Sequence, residues 1–166
     1  MILEIFPDKG FKLNSESFNW NDERKSVREK LKNQHKEDDN VMEMSDFFGG
    51  DTSHDIIQKR DIYEDINEMK NYFFLMYDKE NRLNELEIHW GIDTKIDNIQ
   101  MEFDKDINLY LNELKSKGYE FNEIEEGNYL FKKLKITIAN SESIGGEGNG
   151  LSYLYAGKDI EHLTKN

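Results

Sequence analysis

The chain has 166 residues, with 35 acidic against 22 basic side chains, a net charge of -13 and no cysteine. The missing cysteine excludes disulfides, thiolate metal sites and a cysteine nucleophile, and the excess of acid opposes direct binding to nucleic-acid phosphates, which calls for a basic face. An apolar fraction of 36% with 12% aromatic residues is enough for a folded core, and the length predicts one domain over residues 1–166.

Met1-Ile-Leu-Glu-Ile-Phe6 reads as a short strand, and Pro7-Asp8-Lys9-Gly10 supplies turn chemistry after it. This stretch does not read as a basic leader, and the longest apolar run, Tyr72 to Tyr77, is far too short to span a bilayer. The expectation is a cytoplasmic protein with no membrane contact. Asn19 to Lys32 predicts a first helix, with Asn21 as its cap and Trp20, Val27 and Leu31 at helical spacing. From Asn33 to Asp55 the chain is polar and acidic and carries Gly49-Gly50, which predicts a long irregular connection with at most a short strand at Val41 to Ser45.

Strands follow at Ile56 to Tyr63, Tyr72 to Tyr77 and Leu83 to Trp90. The aromatic run fits a strand buried on both faces. In the next strand Leu86, Ile88 and Trp90 alternate with Glu85, Glu87 and His89, which predicts a solvated outer face. Ile99, Met101 and Phe103 repeat the alternation and lead into a second helix over Asp104 to Lys117, with its apolar stripe at Ile107, Tyr110, Leu111 and Leu114 and Gly118 as cap. Strands at Tyr119 to Glu123, Asn128 to Leu134, Lys135 to Asn140 and Leu151 to Ala156 complete the pattern, with a terminal turn or short helix at Asp159 to Leu163. The order predicts an α+β fold, an antiparallel-dominated sheet of about six to eight strands with two main helices packed on one face.

No catalytic constellation emerges. Gly145-Gly-Glu-Gly-Asn-Gly150 lacks the Lys-Ser/Thr of a phosphate loop, leads into a strand and carries Glu147, which repels phosphate. His35, His54, His89 and His162 show no ligand spacing, and Glu37-Asp38-Asp39-Asn40 lacks a calcium-loop pattern. His54-Asp55 is at most half of an acid–base pair. Glu85, Glu87 and Glu102 line an outward strand face, yet such pairs are unspecific among 35 acids. The expectation is therefore no enzyme, no cofactor and no metal. Acidic clusters at Glu37 to Asp39, Asp61 to Glu68 and Glu123 to Glu126 lie among aromatics, a composition found at protein-binding faces. The candidate partner-binding residues are Asp38, Asp39, Glu125, Glu126 and Glu147.

Lysine outnumbers arginine, Asn and Ile are plentiful, and alanine occurs only at Ala139 and Ala156, a bias that AT-rich bacterial coding produces. In size, acidity and lack of a catalytic motif the chain resembles the small acidic immunity proteins of bacterial polymorphic and contact-dependent toxin systems. The resemblance covers size and composition and carries over no site. It implies an antitoxin role: a toxin inhibitor that binds a basic protein partner, such as a toxin nuclease domain, and blocks its active site. The alternatives are a bacterial scaffold or housekeeping domain without catalysis, and a carboxylate-dependent hydrolase.

Overall fold

The structure, a computed structural model, describes residues 1–32, 34–42, 56–68 and 70–164. The fold is mixed α+β. Among the described residues thirteen strands form two sheets, where the sequence pattern predicts one. The smaller sheet holds β1 (Ile2–Phe6), β2 (Gly10–Leu13), β3 (Glu16–Asn19), β8 (Asp93–Ile96) and β9 (Ile99–Met101), in the order β3-β2-β1-β8-β9. Strands β2, β3 and β8 have no counterpart in the sequence reading. Each is four residues long, too short for alternation to stand out. The β1–β8 pairing is parallel, and all other described pairings are antiparallel. At Gly10, with φ of 136°, an added Cβ would sit 2.0 Å from the Phe18 carbonyl oxygen, so only glycine lets β2 close against β3.

The larger sheet runs β10-β11-β12-β13-β7-β6-β5-β4 and is antiparallel throughout. Its strands are β4 (Lys36–Met42), β5 (Ile56–Glu64), β6 (Tyr72–Tyr77), β7 (Leu83–Trp90), β10 (Asn122–Glu125), β11 (Asn128–Phe131), β12 (Ile136–Asn140) and β13 (Leu151–Gly157). Strand β4 corrects the expected irregular connection. Its sequence, Lys-Glu-Asp-Asp-Asn-Val-Met, is a poor strand former, but pairing with β5 from Lys36 to Met42 holds it at the sheet edge. Residues 43–55, including Phe47-Phe48, Gly49-Gly50 and His54-Asp55, lie outside the described residues.

Helix α1 spans Arg24–Lys30 and α2 spans Ile107–Ser116, each shorter at its start than the periodicity predicts. Asn21 does not cap α1. It takes a left-handed φ of 76° and donates its backbone N–H to Leu83 O at 2.8 Å. Asp106 caps α2 by accepting from the Asn108 N–H at 3.0 Å. Gly118 ends that helix at φ 86°, as its sequence position suggests. One continuous apolar cluster joins Leu3, Ile5 and Phe11 of the small sheet, Val27 of α1, Leu111 and Leu114 of α2, and Phe73, Leu86, Ile88 and Leu154 of the large sheet. A smaller cluster lies on the other face of the large sheet, where Ile160 and Leu163, at and beside α3 (Glu161–Thr164), pack on Leu130 and Tyr155.

That second face overturns the expected solvated side of β7. Glu85, Glu87 and His89 are half-buried among Phe74, Met76, Tyr153 and Tyr155. A register shift at Tyr72 and Phe73 pairs Trp90 with Tyr72, so Trp90 leaves the Leu86–Ile88 side. It is 49% exposed and stacks on Tyr72 with ring centroids 4.4 Å apart. Among the described residues, no helix is long and apolar enough to cross a membrane.

Candidate functional site

The acids of β4 and β5 meet the arginines of α1. One turn of helix puts Arg24 and Arg28 on the same side, facing β5. Asp61, which is 0% exposed, accepts from Arg24 Nη2 at 2.6 Å and from Arg28 Nε and Nη2 at 2.8 and 2.6 Å. Arg24 also holds Asp39 through two bonds of 2.8 and 2.7 Å, and its guanidinium lies 5.0 Å from the Tyr77 ring centroid. Arg28 reaches Glu37 at 2.6 Å. Arg60 pairs with Asp38 and lies over the Phe74 ring. Burial alone would raise the Asp61 carboxyl, but the hydrogen bonds from Arg28 and Arg24 outweigh it and hold the group below its usual range. The bond from Arg24 likewise lowers Asp39, and that from Arg60 lowers Asp38.

The charges of Asp38 and Asp39 are thus committed to internal guanidinium groups. The sequence gives no sign of this, because the bonded partners are 15 and 22 positions away. His35, Glu37 and Asp61 bring ligand atoms within 4.8 Å of one another, a spacing that a metal ion could use. Asp61 and Glu37 already bind guanidinium groups there, and a cation would have to displace them. The cluster ties α1 to the sheet edge. Asp61 itself is buried, and Tyr63 beside it is a core residue, so the stretch Asp61 to Glu68 does not present one acidic aromatic surface.

Glu125, Glu126 and Glu147 are placed differently. The β10–β11 turn carries Glu125 and Glu126 outward and closes on Gly127, whose φ is 74°. Asn140 at the end of β12 links this turn to the glycine-rich loop: its backbone N–H donates to Gly127 O at 3.0 Å, its Nδ2 to Asn149 Oδ1 at 2.8 Å, and its Oδ1 accepts from the Ser143 N–H at 2.9 Å. Asn149 in turn donates to Asp106 at the start of α2. Gly145 and Gly148, both at positive φ, give the loop its path, and it enters β13 without forming a helix, as its sequence context predicts. Glu125, Glu126, Glu142 and Glu147 are exposed at this end of the sheet, and none forms an ion pair with a described residue. All four arginines of the chain are paired with carboxylates, Arg82 with Glu23 at 3.1 Å being the fourth.

The three carboxylates considered for glycoside chemistry do not converge. Glu85 and Glu87 share the second face of the large sheet, whereas Glu102 follows β9 of the small sheet and is exposed. The face around Glu85 and Glu87 also gathers His89 and His162 with the β13 tyrosines Tyr153 and Tyr155, which sequence reading missed. Tyr155 lies directly across from Glu87, His89 Nε2 lies 3.5 Å from Glu87 Oε2, and the Tyr155 hydroxyl lies 3.5 Å from His162 Nε2. The alternation of Tyr153 and Tyr155 in β13 is the signal that would have found them. Comparison with family models, curated proteins and solved structures returned no match.

Proposed function

We propose that this chain is an acidic protein-binding module of the bacterial cytoplasm, and specifically an immunity protein that occludes the active site of a basic toxin domain. The observation that supports this reading is the set of exposed carboxylates Glu125, Glu126, Glu142 and Glu147, unpaired among the described residues on two loops that Asn140 ties together, in a chain whose arginines are all committed elsewhere. Fixed loops with unpaired charge present a negative potential without reorganising, which steers a basic partner and pairs with its cations. Carboxylates arranged in this way stand in for the phosphates of a nuclease substrate.

The test is co-purification with the product of the neighbouring gene, followed by growth protection when the two are expressed together. Binding and protection are expected, and a double charge reversal, Glu125→Lys with Glu126→Lys, should weaken the complex at least about tenfold. A chain that neither binds that product nor protects cells from it is not an immunity protein for it. Intact affinity in the charge-reversed variant would remove this end of the sheet as the contact surface.

A further inference from the structure

A groove of about 490 Å³ runs over the β4–β7 end of the large sheet, with Met42, Ile57 and Met76 as its apolar walls, Gln58 and Asn84 as polar ones, and Glu85 within it. Glu85 has no cationic partner there. It accepts from Asn84 Nδ2 at 3.0 Å and from the Tyr155 hydroxyl, and it pairs with no lysine or arginine among the described residues. Burial raises its pKa, and His162 is the basic group whose field opposes that rise. Glu87, two residues on, adds a like charge on the same face. Lys59 borders the groove but is engaged elsewhere, donating to Lys79 O at 2.8 Å and Asn81 Oδ1 at 3.1 Å. Buried charges in folded proteins are normally paired. An unpaired one lowers stability, and such residues persist where they serve binding or chemistry.

We infer that this groove receives a basic side chain of a partner protein, an arginine or lysine whose aliphatic stem lies along Met42, Ile57 and Met76 and whose charged head meets Glu85. Charge complementarity selects this occupant over an apolar one, since an apolar side chain would bury the carboxylate further with no counter-charge. The flexible thioethers of Met42 and Met76 suit a long unbranched stem. The inference rests on the protein-binding reading and adds to it a second contact, at the β4–β7 end of the large sheet.

The experiment uses the full chain labelled with [¹³C-methyl]methionine and titrated with Nα-acetyl-L-arginine amide, with the uncharged citrulline analogue as a second probe. The Met42 and Met76 methyl resonances should shift with the arginine compound and stay in place with the citrulline one. Glu85→Gln should weaken the arginine titration at least about tenfold while leaving the other methionine resonances unchanged. Equal shifts with both probes, or no shift at either methionine, would overturn the inference, and the wild-type comparison decides this even if the variant fails to fold. Shifts that follow protein concentration without any probe would place a second copy of the chain in the groove and overturn it as well. If the titration fails while co-purification with a basic partner succeeds, the protein-binding reading stands and the groove is removed from the interface.

Discussion

Two carboxylates of the large sheet, Asp61 fully buried and Glu85 half-buried, illustrate opposite treatments of an acid drawn out of water. Asp61 is surrounded by guanidinium donors, and removing one partner of such a group leaves the rest buried and unpaired, at a cost of about 3–5 kcal/mol. Asp61→Asn should therefore lower stability by roughly 3 kcal/mol in urea unfolding, and an unchanged midpoint would show that the arginines re-pair with Asp39 and Glu37. Because the Asp61 value in the fold lies below the ordinary 3.8, its contribution is fully present above that pH and is lost as pH falls through the lowered value. Glu85 behaves in the reverse sense. Its value in the fold lies above 4.5, so the fold is favoured below that pH and loses stability as pH rises through the raised value. Glu85→Gln should accordingly raise the melting temperature at pH 7 by about 2–4 °C, for a gain on the order of 1 kcal/mol, and the gain should vanish near pH 4. The sequence shows both residues as strand acids. Which one is neutralised depends on arginines that the chain brings from elsewhere.

Elements whose own residues carry the pattern were legible: the aromatic run of β6 and the apolar stripe and glycine stop of α2 match the structure, and β7 lies where its alternation places a strand, although its outer face is half-buried and Trp90 leaves the apolar side. Elements held by their neighbours were not. Strand β4 exists because Arg24 and Arg60 bind its aspartates and β5 supplies its ladder, and β2 and β3 are too short to show a period. The β10–β11 turn stands between these cases, since Glu125-Glu126-Gly127 is turn chemistry in any context while its attachment to the glycine-rich loop through Asn140 is tertiary. A Cβ at Gly127 would lie 2.2 Å from Asn140 Oδ1, at a φ that disfavours side chains. Gly127→Ala should therefore cost at least about 1–2 kcal/mol and, by displacing Asn140, weaken partner binding together with stability. Wild-type affinity in a destabilised Gly127→Ala protein would separate the loop from the contact. On the far side of the sheet, Ile160→Ala should remove roughly 2 kcal/mol by uncovering Leu130 and Tyr155, measurable as a lower unfolding midpoint.

Over the whole molecule, the net charge of -13 divides into two populations. Some acids are paired within the chain, as around Arg24, Arg28 and Arg60, and others stand unpaired among the described residues at the β10–β11 and glycine-rich loops. Composition reveals the sum and not the division, so the sequence could name Asp38 and Glu125 as equals while the structure separates them. The free population predicts that association with a basic partner slows as salt rises, by about tenfold or more between 20 and 500 mM. A rate independent of ionic strength would mean that the long-range field contributes nothing. The parallel pairing of β1 with β8 acts on another axis, that of time. Ile2 pairs with Asp93, so the small sheet cannot close on the ribosome until roughly 90 residues have followed the first strand, on the order of 5–20 s of synthesis. Until then Leu3 and Ile5 wait beside β2 with one edge open, and the last residues to arrive at that edge decide when the N-terminal half becomes safe from misassociation.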